Sequence, residues 1–455
     1  MFAAFVNMLK IKELRAKLLF TAGIVVITRF AANIPCPGVD PRALKAYVAG
    51  LTESGKSGQL MEMFDIFSGG ALQNFAVATL GIMPYITASI IMQLLTPTVP
   101  TLEKLQREGD SGRQKISQYT RYLTLLVCFF QGTMAAVAML NPSRLGMPSP
   151  ESPLIVGNQT MFIIMTVVVL TCATMVLTWL GEQITERGIG NGVSLIITIN
   201  IIARLPQALW SLIQMSLNEQ TTSGANFRPV QLLILLIVFA AVTAATIMLS
   251  QGMRRIPIQM VRKSVGSQVH GGSTYMPLKV NFAGVMPIIF AGALLSIPGM
   301  ALRFWHNAPG FIVQMFVYGS AQYMMTYGIL ILGFTYFWVA NQFNPIQISE
   351  NLKKEGAYIP GIRPGQPTAE FLDHSMSRIT FAGALFLMAL AIFPMILTNS
   401  FKVPMMVASF FGGTSLLIMV GVVLDTLTQL ESHLTMRNYD GFLKNGRLRG
   451  RRGGN

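Results

Sequence analysis

A chain of 455 residues that is 52% hydrophobic and only 12% charged has too little polar surface to clothe a water-soluble body of that size, so a bilayer is its expected solvent. The formal net charge of +15, from 34 basic and 19 acidic side chains, asks where the cations lie. Cys36, Cys128 and Cys172 stand far apart with no CxxC pair, and His270, His306, His374 and His433 are scattered, so neither a disulfide framework nor a metal cage is indicated.

From the N-terminus, Lys10, Lys12, Arg15 and Lys17 precede an apolar run that superficially resembles a secretory signal. Arg29 interrupts that run, and the following NIPCPGVDP is no small-residue cleavage site, so the run is expected to stay as a first span. Stretches such as Met161 to Leu180, Leu232 to Leu249 and Phe381 to Leu397 approach or reach the ~20 residues that cross a hydrocarbon core of about 30 Å. Apolar runs between charge clusters predict an all-α polytopic membrane protein with ten spans, at 18–36, 76–96, 119–140, 154–180, 190–213, 229–250, 282–302, 312–340, 378–398 and 404–429.

Basic residues gather in the N-terminus (1–17), the 97–118 loop, the 251–281 loop, the 341–377 loop and the tail from 430 to 455. By the positive-inside rule these are cytoplasmic, as are both termini, and ten spans satisfy the parity. Few basic residues fall in the opposite loops (Arg42, Lys45, Lys56, Arg144, Arg228, Lys402). The basic face suits anionic lipid or a docking partner with an acidic or phosphate-bearing surface.

Within Met61 to Leu80, Ser68, Gly69 and Gly70 break an apolar segment. Irregular backbone at membrane depth is tolerated only where protein or a water-filled cavity surrounds it, so 62–74 is expected to be a short re-entrant helix filling a cavity from outside. The segments GIMPYITAS (81–89) and GVMPIIFAG (284–292) echo each other through Gly81/Gly284, Met83/Met286, Pro84/Pro287 and Ile86/Ile289. These segments open spans of opposite direction, which predicts two inverted five-helix halves, 18–213 and 229–429, joined by an external linker at 214–228, with a pathway at the repeat interface.

Mid-membrane charges, which an ion-coupled carrier needs, are nearly absent: Arg29, Arg204 and Asp425 sit toward span ends and are expected to snorkel or pair structurally. This disfavours the alternative of a secondary solute transporter with inverted repeats, and the SGGAL segment argues against a scaffold with no cavity to seal. GIGNG beside Arg187 has no preceding strand and no GK[ST], and no nucleophile, base and oxyanion constellation is visible. Neither enzymatic activity nor a cofactor is expected, and energy for transport must come from a partner.

The run FSGGALQNFAVATLGIMPYITASIIMQLL, then PTLEKLQREGDSGRQKISQYTRY, WLGEQITERGIGNGVSLII, PLKVNFAGVMPIIF, FNPIQISENLKKEGAYIPGIRPG and FGGTSLLIMV closely resemble, in order, the SecY family of preprotein translocase channels. That resemblance implies an hourglass of ten helices with a ring of aliphatic side chains at its waist: Ile82 and Ile86, Val193 and Ile197, Ile289, and Ile418. Val193 departs from the family's commoner isoleucine, and its smaller side chain leaves room for a slightly wider ring. The physics agrees, since an aliphatic constriction dewets and blocks ions while making no specific hydrogen bond to a passing chain.

The resemblance further implies an external plug over 61–74, including Phe64, Phe67, Ser68, Gly69, Gly70 and Leu72. Spans 2 and 7 would be the lips of a lateral gate toward lipid, with Pro84, Ser89, Gln93, Pro287 and Phe290 along them. Arg254, Arg255 and Arg363 would dock the SecA motor ATPase or a translating ribosome, and the glycines and prolines around Arg363 would present its guanidinium on a tight turn. SecE and SecG small subunits, signal-bearing preproteins and a bacterial cytoplasmic (inner) membrane complete what the resemblance implies.

Overall fold

The computed structural model describes residues 12–53, 68–142, 153–155, 157–217, 229–260, 263–265, 268–270, 273–302, 309–317, 319–401, 403 and 405–445. Among the described residues, seven helices are long and apolar enough to cross a membrane. Their outward faces are themselves apolar: Phe129, Phe130, Leu233, Ile234, Leu236 and Ile237 are each more than half exposed. Such faces suit lipid, and only a structure whose backbone bonds are satisfied internally can present them there.

The first half begins with α1 (Lys12–Ala31) and the short α2 (Pro41–Glu53). It continues through α3 (Met83–Thr98), α4 (Pro100–Arg107), α5 (Asp110–Leu140), α6 (Gln159–Arg187) and α7 (Gly192–Leu217). Prolines mark the breaks: Pro97 lies in the last turn of α3, and Pro100 opens α4. Asn158 caps α6 by accepting from the Thr160 amide at 3.4 Å. The α6–α7 hairpin closes without room for side chains, since a Cβ on Gly192 would lie 1.9 Å from the Gly181 carbonyl oxygen. Gly192→Ala is therefore expected to destabilise the protein by about 1–3 kcal/mol through overpacking, read as a lower thermal midpoint in detergent. Gly132→Ala, whose new methyl would meet Val167 at an ordinary 3.6 Å, should leave that midpoint unchanged.

The second half starts with α8 (Pro229–Gln251) and then leaves the helical pattern for strands β1 (Met253–Met260), β2 (Lys263–Val265), β3 (Gln268–His270) and β4 (Ser273–Lys279). Next come α9 (Met286–Leu302), α10 (Gly310–Phe316), α11 (Ala321–Gln342), α12 (Pro345–Lys354) and the two-residue β5 (Ala357–Tyr358). The chain closes with α13 (Gln366–Phe401), α14 (Met405–Phe410) and α15 (Gly413–Asn445).

The structure corrects several predicted span limits. Residues 77–82 and 280–285 run in turns and bends rather than helix, so the second and seventh predicted spans become the 16-residue α3 and the 17-residue α9. At about 1.5 Å per residue these are near 25 Å long, short of the hydrocarbon thickness, so both start inside the bundle. The predicted 312–340 span is broken before Ala321, where Gly319 has φ +85° and Ser320 accepts from the Tyr323 amide at 3.0 Å. Likewise 404–429 is broken at Gly413, with φ +70°. The 251–281 loop carries strands that the reading of a basic loop did not anticipate.

The halves share a central apolar seam. Ile197 and Ile201 of α7 share a buried cluster with Leu235 of α8, Leu397 of α13, Val407 and Phe410 of α14, and Ile418 of α15. A second contact joins the halves at one end of the bundle, where the Gly190 amide donates to Gln429 Oε1 at 2.9 Å and Leu14, Ile189 and Leu430 pack together.

Candidate functional site

Five of the six aliphatic residues singled out by resemblance come together in that seam. Ile197 and Ile418 are buried within it, and Ile86, Val193 and Ile289 pack on it from α3, α7 and α9. Ile82 belongs to a neighbouring cluster on which Ile86 and Val193 also pack. Its carbonyl accepts the Ile86 amide at 3.1 Å, so Ile82 occupies the N-cap of α3. Both halves thus contribute branched aliphatic side chains to one place, with no titratable group among the six.

The two echoed segments adopt the same local form. Gly81 has φ +55° and Gly284 φ +64°, a left-handed step that favours glycine. Each step lies two residues before a helix that opens Met-Pro, where a proline's missing N–H costs nothing. Pro84 and Pro287 are buried, Ser89 is half-buried and Gln93 exposed; Gln93 Nε2 donates to Ser89 Oγ at 3.3 Å. Ile90 of α3 and Phe290 of α9 belong to one cluster, and the Phe290 ring sits 5.4 Å from Phe334 and 5.5 Å from Trp338. Helices α3 and α9 thus share one apolar cluster, in which Phe290 stacks on α11.

Phe64 and Phe67 lie outside the described residues. From Gly69 to Ile82 the chain runs in turns, interrupted by a single bridge from Ala76 to Pro35. Hydrogen bonds fix it from within and from the segment after α1: the Leu72 amide donates to Ser68 Oγ at 3.1 Å, Thr79 Oγ1 donates to the Ala71 carbonyl at 3.2 Å, and the Cys36 amide donates to the Phe75 carbonyl at 2.9 Å. Over the Gly69–Gly70 turn lies a polar pocket of about 310 Å³ lined by Arg29, Gln73, Arg204 and Gln207, among others. Leu72 is half-buried.

Arg254 and Arg255 are exposed on β1, whose partners come from both large loops. The sheet order is β4-β1-β5, with Arg254 opposite Leu278, Arg255 opposite Pro277 and Gln259 opposite Tyr358. The Tyr358 hydroxyl donates to Gln259 Oε1 at 3.0 Å. Beneath the sheet, Ile256, Leu278 and Ile359 are buried in the same cluster as Ile90 of α3 and Phe290 of α9. Arg363 is exposed on a turn fixed from below: its carbonyl accepts from Thr368 Oγ1 at 2.9 Å, and the Gly365 carbonyl accepts from Ser349 Oγ at 3.1 Å.

Sequence reasoning missed three features. Asn200 receives Arg29 Nη1 at 3.2 Å, and a lone amide inside an apolar run was the available signal. Arg121 of α5 makes a forked pair with Glu182 of α6, at 3.3 and 2.7 Å. The shared sheet was signalled only by the alternation of Ile256 and Ile258.

A family profile for SecY matches residues 76–427. The chain is 44% identical to the protein translocase subunit SecY of Streptomyces griseus, covering 98% of this chain and 100% of that one. It is 43% identical to that of Chlamydia muridarum (97% and 98% covered) and 40% identical to that of Thermotoga maritima (99% and 100%). Among solved structures, one described as a protein conducting channel aligns with a TM-score of 0.59 at 19% identity. Sec61 in a canine ribosome-channel complex from the endoplasmic reticulum aligns with a TM-score of 0.57 at 18% identity; each alignment covers 92% of both chains. The multi-pass helical fold, the seam shared by two halves and these matches over nearly the whole length place the chain in the SecY family of protein translocase subunits, which form a protein-conducting channel.

Proposed function

We propose that Ile82, Ile86, Val193, Ile197, Ile289 and Ile418 are the constriction through which an unfolded preprotein is threaded. The observation that carries this reading is their convergence from four separate elements of two halves onto adjoining apolar clusters. A ring of this kind excludes hydrated ions by dewetting and grips any sequence while selecting none. The 61–74 segment, with the Ser68–Gly70 turn as its base, stops the mouth of the pore at rest.

The lateral gate is the α3–α9 seam, including Pro84, Ser89, Gln93, Pro287 and Phe290. A hydrophobic segment held there is exposed to channel and lipid together and partitions by transfer free energy: about 0.5 kcal/mol in favour for a leucine at mid-span, about 3 kcal/mol against for an arginine. Arg254, Arg255 and Arg363, on the joined loops, dock the SecA motor or a translating ribosome through carboxylate or phosphate groups. Because the sheet shares a cluster with Ile90 and Phe290, a load on the loops bears on the gate. The working unit includes SecE- and SecG-like small subunits and sits in a bacterial cytoplasmic membrane, with both termini in the cytoplasm and anionic lipid around the basic face.

Bridging the gate tests this directly. With cysteines at positions 90 and 290 joined by a short reducible thiol cross-linker, insertion of a signal-anchor segment into lipid and preprotein passage are both expected to stop, and to return on reduction. Undiminished insertion with the bridge quantitatively formed would rule out the α3–α9 seam as the exit to lipid.

A further inference from the structure

We propose that Arg29 and Arg204 form a guanidinium clamp on the Gly69–Gly70 turn that holds the channel shut, an inference that rests on reading this turn as the base of the plug. Arg29, in the last turn of α1, donates through Nη2 to the Gly69 carbonyl at 3.0 Å and through Nη1 to Asn200 Oδ1 at 3.2 Å. One planar fork thereby ties α1, the turn and α7 together, which a lysine ammonium on a flexible stem does less well. One helical turn beyond Asn200, Arg204 is buried at 6% exposure, and its Nη1 donates to Gln207 Oε1.

The glycines show how closely the two cations press on the turn. A Cβ on Gly69 would lie 2.3 Å from Arg29 Nη1, and one on Gly70 would lie 3.0 Å from Arg204 Cζ. Both residues also have positive φ, +67° and +98°. The Ser-Gly-Gly break therefore has two uses: it makes a left-handed turn, and it lets guanidinium groups approach the backbone where any side chain would fend them off. A cation at this depth is costly unless hydrogen bonds replace its hydration. The Gly69 carbonyl supplies such a bond to Arg29 only while the turn is seated, so leaving the seat is opposed by the loss of a charged hydrogen bond. The clamp adds a polar restraint to the apolar seal of the ring.

The test is resting potassium and chloride flux in vesicles carrying the full complex, with import of a precursor bearing an intact signal measured in parallel. Arg29→Gln is expected to raise flux about tenfold, the effect of losing a charged hydrogen bond, with precursor import preserved. Arg29→Lys and Asn200→Ala should give smaller rises. Ile418→Asn serves as the control for the pore itself. Wild-type flux in Arg29→Gln alongside a leak in Ile418→Asn would overturn the clamp and leave the plug and ring standing. If neither leaks, the underlying reading fails and the clamp with it. A flux rise accompanied by loss of import marks damage to the fold and also overturns the proposal. Should Arg29→Gln fail to assemble, Asn200→Ala decides, since it keeps both charges and removes only the acceptor on α7: wild-type flux there refutes the clamp.

Discussion

Ile418→Asn is expected to make resting vesicles permeable to small ions and to admit precursors whose signal sequences are defective. Ile418 is 6% exposed and surrounded by aliphatic and aromatic side chains of both halves. An amide placed there finds no partner in the apolar cluster and recruits water, which removes the dewetting that makes a hydrophobic constriction impermeable. The desolvation penalty, about 1–3 kcal/mol by mutational measures, falls on the closed state and is relieved when the ring hydrates. That corresponds to a rise of roughly five- to 150-fold in the open-to-closed ratio. Ile418→Leu, which keeps volume and polarity, should stay tight and stringent. Single-channel recording and export of a signal-defective precursor measure the two effects, and a tight, fully discriminating asparagine variant would remove Ile418 from the ring.

Arg363→Glu is expected to cripple motor-driven import while leaving the resting channel sealed. The residue is exposed, and its turn is held by hydrogen bonds to Thr368 and Ser349 that do not involve the guanidinium, so reversal of its charge should not disturb the fold. What it changes is the contact with an acidic or phosphate-bearing partner, where reversing a charge costs about 2 kcal/mol or more, at least roughly thirtyfold in affinity. Arg363→Lys keeps the charge but loses the planar fork and should fall between. Import rate as a function of motor concentration is the measurement: a right-shifted curve supports docking, and an unshifted one refutes it.

How far these features could be read beforehand depends on the physics behind each. Long helices such as α5, α6 and α13 announce themselves as runs of apolar residues, because lipid demands a lipophilic surface all round. The starts of α3 and α9 do not: VATLGI before Met83 is as apolar as the helix it precedes, and hydrophobicity reports depth in the membrane rather than backbone conformation. Gly81 and Gly284, each followed by Met-Pro, were the readable marks of the change. The strand MRRIPIQM buries Ile256 and Ile258 in alternation, but its paired arginines and internal proline read as a solvated loop. Its second partner, β5, lies about a hundred residues further along the chain.

The site was legible in a different way. Nothing intrinsic to Ile82 or Ile289 separates it from the other isoleucines of the chain; family resemblance picked out the six, and the fold brings them to adjoining clusters. Arg29 stood out as a charge in an apolar run, yet its partner Asn200 is 171 positions away, a pairing that only the three-dimensional packing of α1 on α7 reveals.

The central claim is that this chain conducts unfolded protein across a membrane. It is tested most directly by protease protection of a signal-bearing precursor in vesicles containing the chain with its small subunits, motor and ATP. The account predicts that precursor becomes protease-resistant in wild-type vesicles, loses protection when detergent dissolves the membrane, and is never protected when ATP is withheld. Vesicles with correctly inserted chain and an active motor that protect no precursor would contradict it.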